Sequence, residues 1–300
     1  MSDGVPVVAV ASPEQSSKSL PVVLLHGLSQ QRHFWDPVLS RLQDVHTVCI
    51  DQRGHGDAAI PEVTAHTDFS MDRLADDVVE VLNFLEIPQA IIVGHSWGAS
   101  VALRTAVRHS SRVRSIALID GGLFNPRHLS DVGTNAPGSD AVREALRPPP
   151  LGMLEPVLWQ AIADGDLSPY WTPEVMNALQ PTFTVDEMGR IFTKLGTERH
   201  MAVLDGLLAY DPAPDIAELG CPAWVVVCEP REDLTDDQDE LALAWQRAKE
   251  ISISGLPAPF FVQRWGGALH DVPLQWPALV AGLLETIVDR SSERSGEEGV

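Results

Sequence analysis

Short unbroken apolar runs alternate with amphipathic stretches through roughly the first 120 residues of the chain. PVVLLH (21–26), HTVCID (46–51), AIIVGH (90–95) and RSIALID (114–120) are rich in β-branched residues and have no alternating polar face. That pattern belongs to strands buried on both sides, as in a parallel sheet. Helical spacing marks the segments between them, near 34–43, 71–86 and 97–109. In the second, Met71, Leu74, Val78, Val81, Leu82 and Leu85 share one face, and Pro88 follows its end. The βαβ rhythm predicts an α/β fold, a mostly parallel, doubly wound sheet with right-handed crossovers.

The rhythm breaks from about Gly122 to Pro214. Strand-like runs give way to short helical pieces around 139–147, 153–164, 173–180, 185–195 and 198–209, punctuated by Pro148 to Pro150. This predicts a helical insertion at 122–214, between core segments 1–121 and 215–290. The βα pattern returns with AWVVVC (223–228), a helix near 237–250, PFFVQRW (259–265) and a last helix near 277–290. The tail SSERSGEEGV (291–300) is polar enough to be expected disordered.

Composition narrows the classes of partner. With 42 acidic against 21 basic residues, the net charge of −21 argues against nucleic acid or an anionic membrane as a partner. No apolar run is long enough to span a bilayer, and the first residues have no secretory pattern. Cys49, Cys221 and Cys228 are too few and scattered for a disulfide framework or zinc site, which fits core residues in a reducing cytoplasm. No His/Asp/Glu spacing suggests a metal, and the acidic run DDQDE (236–240) is read as a solvated helix face.

Gly94-His95-Ser96-Trp97-Gly98 is a G-x-S-x-G sequence at a predicted strand-to-helix junction. A turn that tight strains the serine backbone, and positions two before and two after it have no space for a Cβ. The hydroxyl then stands clear of the sheet at a helix N-terminus, where negative charge is favoured. A serine nucleophile needs a base, and His270, in WGGALHDVPLQWP after the last strand, falls on the same sheet edge. Leu28, after His26-Gly27, and Trp97 can each turn a backbone N–H toward an oxyanion. His26, His55 and His95 are read as structural, and the Asp51–Gly56 turn as loop-shaping with an Arg53 ion pair available.

HGLS after a strand, D-x-R-G-H-G, G-H-S-W-G and the late GGALHD together resemble the α/β-hydrolase superfamily, over about Pro21 to Asp289. The resemblance implies that the insertion is that family's variable cap and that a carboxylate completes a triad. Most relatives carry it in a G-x-x-D turn after the strand here at 223–228. This chain instead has Cys228-Glu229-Pro230-Arg231, with Asp233 two residues further on. Asp120, ending ALIDGG, resembles the placement in a subset that includes dehalogenases and lactone-cleaving enzymes. Either keeps the order Ser, acid, His; Asp120 is preferred, with Asp233 the alternative.

The expected activity is cofactor-free hydrolysis of a carboxylic ester or lactone with a hydrophobic body, Ser96 attacking and His270 serving as base. Cap aromatics Trp159, Trp171, Phe183 and Phe192 are expected to touch the substrate. Thioesterase or cyclase chemistry, a non-hydrolytic receptor and a lyase are alternatives on the same fold, and homo-oligomerisation stays open.

Overall fold

A computed structural model describes residues 1–12, 20–59, 67–132, 138–148, 152–229, 240–257 and 260–297. The first half builds β1 (Val8–Ala11), β2 (Val22–Leu25), α1 (Asp36–Leu39), β3 (Thr47–Asp51), α2 (Met71–Phe84), β4 (Ala90–His95), α3 (Trp97–Arg108) and β5 (Val113–Ile119). An insertion follows, with α4 (Ser139–Ala145), α5 (Glu155–Ala163), α6 (Pro173–Leu179), β6 (Phe183–Val185), β7 (Ile191–Thr193), α7 (Gly196–Leu208) and α8 (Ala213–Glu218). The chain returns through β8 (Ala223–Glu229), α9 (Glu240–Ser254), β9 (Phe260–Gly266), α10 (Val272–Gln275) and α11 (Pro277–Glu297).

Among the described residues seven strands form one sheet in the order β1-β3-β2-β4-β5-β8-β9, parallel except for β1 against β3. Alternation along each central strand divides the core in two. Val23 and Leu25 of β2 join Leu74, Val78 and Leu82 of α2 and Val101 of α3 on one face. Val22 and Leu24 join Val38 of α1 and Val280, Leu284 and Ile287 of α11 on the other. With both faces covered, β2 and β4 have no polar side to show, which is why their sequences do not alternate.

Three expectations differ from the structure. Residues 185–195, expected helical, lie in the β6–β7 hairpin. Aromatic and β-branched residues flank a turn in which Asp186 Oδ1 accepts the Met188 and Arg190 N–H groups and Gly189 takes φ +73°. The tail expected to be disordered is helical as far as Glu297, because α11 simply runs on. The helix expected at 34–43 is reduced to a 3-10 turn at Arg32–Trp35 and the single turn of α1. The short edge strand β1 gave no recognisable pattern.

Arg53 ties the D-x-R-G-H-G turn to α2. It is fully buried and holds Asp77 through Nε (2.5 Å) and Nη2 (2.7 Å), so this turn is a braced element on the flank of the sheet. Among the described residues no helix is long and apolar enough to cross a membrane.

Candidate active site

The turn between β4 and α3 sets Ser96 at φ 53°, ψ −119°, outside the regions a serine normally occupies. Gly94 and Gly98, two positions to either side, permit this because they lack side chains. A Cβ on Gly94 would lie 2.1 Å from the Gly98 carbonyl oxygen, and one on Gly98 2.5 Å from that of Leu25. The Ser96 N–H donates to the Ile119 carbonyl at 2.9 Å, fastening the strained residue to the end of β5. Ser96 is the N-cap of the twelve-residue α3, whose positive end faces any charge developing beside its Oγ.

Three chain segments meet there. Ser96 Oγ is 3.0 Å from His270 Nε2, and Asp120 Oδ2 is 2.7 Å from His270 Nδ1. Asp120 directly follows β5 with φ +48°, and its own N–H donates to Val226 of β8 at 2.9 Å. Gly121 lets the turn close against the serine, since a Cβ there would lie 2.2 Å from the Ser96 carbonyl oxygen. The alternative acid, Asp233, lies outside the described residues.

Asp120 is almost fully buried and collects donors. Its Oδ1 accepts the Cys228 N–H at 2.9 Å, and Lys249 Nζ of α9 lies 2.7 Å from Oδ1 and 2.9 Å from Oδ2. Burial alone would raise the Asp120 pKa, but the His270 hydrogen bond and the Lys249 charge hold it well below the usual carboxylate range. Desolvation pulls the His270 pKa down, yet the Asp120 hydrogen bond and charge, with a contribution from Asp271, leave it raised above 6.5. The His270 side chain is half exposed, because it opens onto a cavity.

The loop carrying His270 is fixed from behind. His95 Nε2–H donates to the His270 carbonyl at 2.8 Å, and Gln30 Nε2 donates to Asp271 Oδ1 at 2.8 Å. Gln30 Oε1 also accepts the Gly27 N–H at 2.9 Å, so one side chain links the His270 loop to the loop of Leu28. His26 is structural as well: buried, with Nδ1–H donating to the Gly27 carbonyl and Nε2 accepting the Gln52 N–H. Leu28 and Trp97 both border the cavity. The Leu28 N–H has no hydrogen bond among the described residues, and Trp97 opens α3, where helix N–H groups lack internal partners.

The cavity above Ser96 has a volume of about 840 Å³. Its apolar walls come from the insertion (Leu146, Leu204, Leu207), the segment after β5 (Leu123, Phe124) and α9 (Trp245). Tyr170, Gln246 and His200 add polar edges. The aromatics expected to touch substrate do not line it. Trp159 packs against Trp171 (6.4 Å between ring centres) and edge-on against Phe183 (5.5 Å), while Phe192 lies beneath the Arg190 guanidinium. These rings hold the insertion together, and smaller aliphatic residues on α7 and after α4 face the serine. Sequence reading also missed Lys249, Gln30 and His200. His200 Nδ1 accepts from Ser29 Oγ at 2.6 Å and its Nε2–H donates to the Leu146 carbonyl at 2.9 Å, joining the insertion to the Leu28 loop.

A family model described as α/β hydrolase fold matches residues 21–157, from β2 through the start of the insertion. With the sheet order and the strained strand-to-helix serine, that decides the fold. The chain has the α/β-hydrolase fold. Among curated proteins it is 34% identical over 100 residues to the 2-(acetamidomethylene)succinate hydrolase of Mesorhizobium japonicum, covering 33% of this chain and 34% of that one. It is 33% identical over 109 residues to epoxide hydrolase A of Mycobacterium tuberculosis, covering 35% and 33%. The matching stretches thus span about a third of the length of these relatives. A crystal structure of E-2-(acetamidomethylene)succinate hydrolase superimposes with a TM-score of 0.63 at 20% identity, over 95% of this chain and 100% of that one, a likeness of fold. Both of these relatives are hydrolases by name.

Proposed function

We propose that this protein is a hydrolase that cleaves a carboxylic ester or lactone of a hydrophobic small molecule through an acyl-enzyme on Ser96. One observation carries the reading: the hydrogen-bonded line Ser96–His270–Asp120 lies at the floor of a mainly apolar cavity, beside two N–H groups able to receive an oxyanion.

His270 Nε2 takes the Ser96 hydroxyl proton as Oγ bonds to the substrate carbonyl carbon, and the carbonyl oxygen becomes an oxyanion facing the Leu28 and Trp97 N–H groups. Asp120 stabilises the imidazolium and fixes the tautomer with Nδ1–H. The imidazolium then gives its proton to the leaving alkoxide as the C–O bond breaks, leaving Ser96 acylated. In a lactone the alcohol remains tethered to the acyl chain. Water, losing a proton to His270, attacks the ester; the Ser96 oxygen leaves, recovers the proton, and the acid departs. Opening an epoxide through a covalent ester would need a carboxylate nucleophile, and the elbow carries Ser96.

The cavity volume lies within the range that encloses a small organic ligand, and its walls favour aliphatic or aromatic acyl groups. The test is kcat/KM on p-nitrophenyl esters of increasing acyl length, alongside a series of lactones. Hydrolysis that rises with acyl length until the cavity is filled, and disappears in Ser96→Ala, is the expected result. Tight binding of these compounds by folded protein without turnover would overturn it and favour a receptor.

A further inference from the structure

Lys249 belongs to no motif in the sequence and lies outside the insertion. Its ammonium contacts both oxygens of Asp120 and approaches the Cys228 carbonyl at 3.4 Å, and its side chain is only 18% exposed. Drawing a lysine and a carboxylate out of water together contributes little net stability compared with apolar packing. The pairing is better explained by its effect on the carboxylate.

Asp120 reaches His270 from a positive-φ turn after β5, with one backbone donor, Cys228 N–H, on Oδ1 and His270 on Oδ2. One hydrogen bond on each oxygen restrains rotation about the Cβ–Cγ bond but leaves some freedom in it. A cation bridging both oxygens removes that freedom. It also adds a positive charge beside the carboxylate that His270 meets.

We propose that Lys249 is a positioning residue for the triad: it fixes the plane in which Asp120 meets His270 and offsets part of the carboxylate's charge, so that His270 remains a base at lower pH than Asp120 alone would allow. The inference rests on the reading of Ser96, His270 and Asp120 as a catalytic triad. The groups facing His270 are Asp120 from the β5 turn, Lys249 from α9, its neighbour Asp271, and His95 from β4 at 4.9 Å between ring centres. The two carboxylates favour the imidazolium and Lys249 opposes them. Burial pushes the His95 pKa down to about 4, so that ring is uncharged across the working range.

The experiment is kcat and KM against pH for wild type, Lys249→Met, Lys249→Gln and Lys249→Arg, with fluorophosphonate labelling of each. Lys249→Met should move the acid limb upward by roughly half a unit to one unit. It should also lower kcat roughly tenfold through looser geometry, with KM unchanged. Lys249→Arg, which keeps the charge, should leave the limb in place. A folded Lys249→Met with the wild-type limb and kcat overturns the proposal. Should it not fold, Lys249→Gln gives the same reading. If neither folds, a limb displaced in Lys249→Arg overturns it and an unmoved limb with reduced kcat supports it. Wild type that takes no label is a separate failure, that of the triad reading, and would remove this inference with it.

Discussion

Asp120 Oδ2 and His270 Nδ1 lie 2.7 Å apart although 150 positions separate them in the chain. The contact exists because β5 and the loop after β9 end on the same edge of a parallel sheet, with β8 between the two strands. Replacing the carboxylate by an amide keeps the shape but removes the negative charge and permits the wrong imidazole tautomer. Asp120→Asn should lower kcat by about 10³- to 10⁴-fold on an ester substrate, with KM little changed. Steady-state kinetics on the purified variant check this; activity within tenfold of wild type would move the acid elsewhere.

The strained serine predicts a steric result. In Gly94→Ala the new Cβ would stand 2.1 Å from the Gly98 carbonyl oxygen, and in Gly121→Ala 2.2 Å from that of Ser96. Backbone cannot retreat cheaply, so each should cost about 3 kcal/mol or more and abolish turnover. Thermal melting decides it: a transition within about 2 °C of wild type would contradict the packing described.

The rate should depend on pH through the free base form of His270. Its pKa is raised above 6.5 by Asp120 against the effect of burial, so kcat/KM should climb as pH rises through a value above 6.5 and then level off. A profile already flat below pH 6.5 would show that the base is not this imidazole.

Stability should fall on the acid side for a different reason. His26, His55 and His95 are buried and neutral, with pKa values pushed by burial down to about 4, 3 and 4 from an ordinary 6.5. The unfolded chain binds protons at 6.5 that the folded chain refuses, so their contribution is complete above that pH. It is lost progressively as pH falls from 6.5 toward 4. Asp120, held low, acts in the same direction. Calorimetry should find the melting temperature dropping steadily from pH 7 to about pH 5; an unchanged value would contradict neutral burial of these rings.

Specificity should follow the residues that line the cavity. Leu207→Trp, on the cavity wall, should raise KM for long acyl esters while sparing short ones. Trp159→Ala, in the ring cluster with Trp171 and Phe183, should lower thermal stability and leave the acyl-length preference unchanged. The reverse pattern in an ester-length series would return the aromatics to the substrate.

The sequence made the local features readable and left the distant ones hidden. Gly94-His95-Ser96-Trp97-Gly98 could be read because its glycines answer to a clash within five residues, and ALIDGG because two glycines release a strand end. His270 followed from strand order. Lys249 could not be found: its partner lies 129 residues away, and AWQRAKE looks like any solvated helix. The same holds for Gln30, whose importance comes from reaching two loops at once. The insertion misled because large aromatics suggested a substrate roof, while its own small core needed them. The 185–195 segment misled because a three-residue strand carries too few positions to display a period.

The most direct test of the central claim, that Ser96 is an activated nucleophile, is the intact mass of the protein after exposure to a fluorophosphonate probe. A single adduct on wild type, absent from Ser96→Ala and formed far more slowly in Asp120→Asn, is the predicted result. Folded wild type with no adduct, or an adduct that persists in Ser96→Ala, would contradict it.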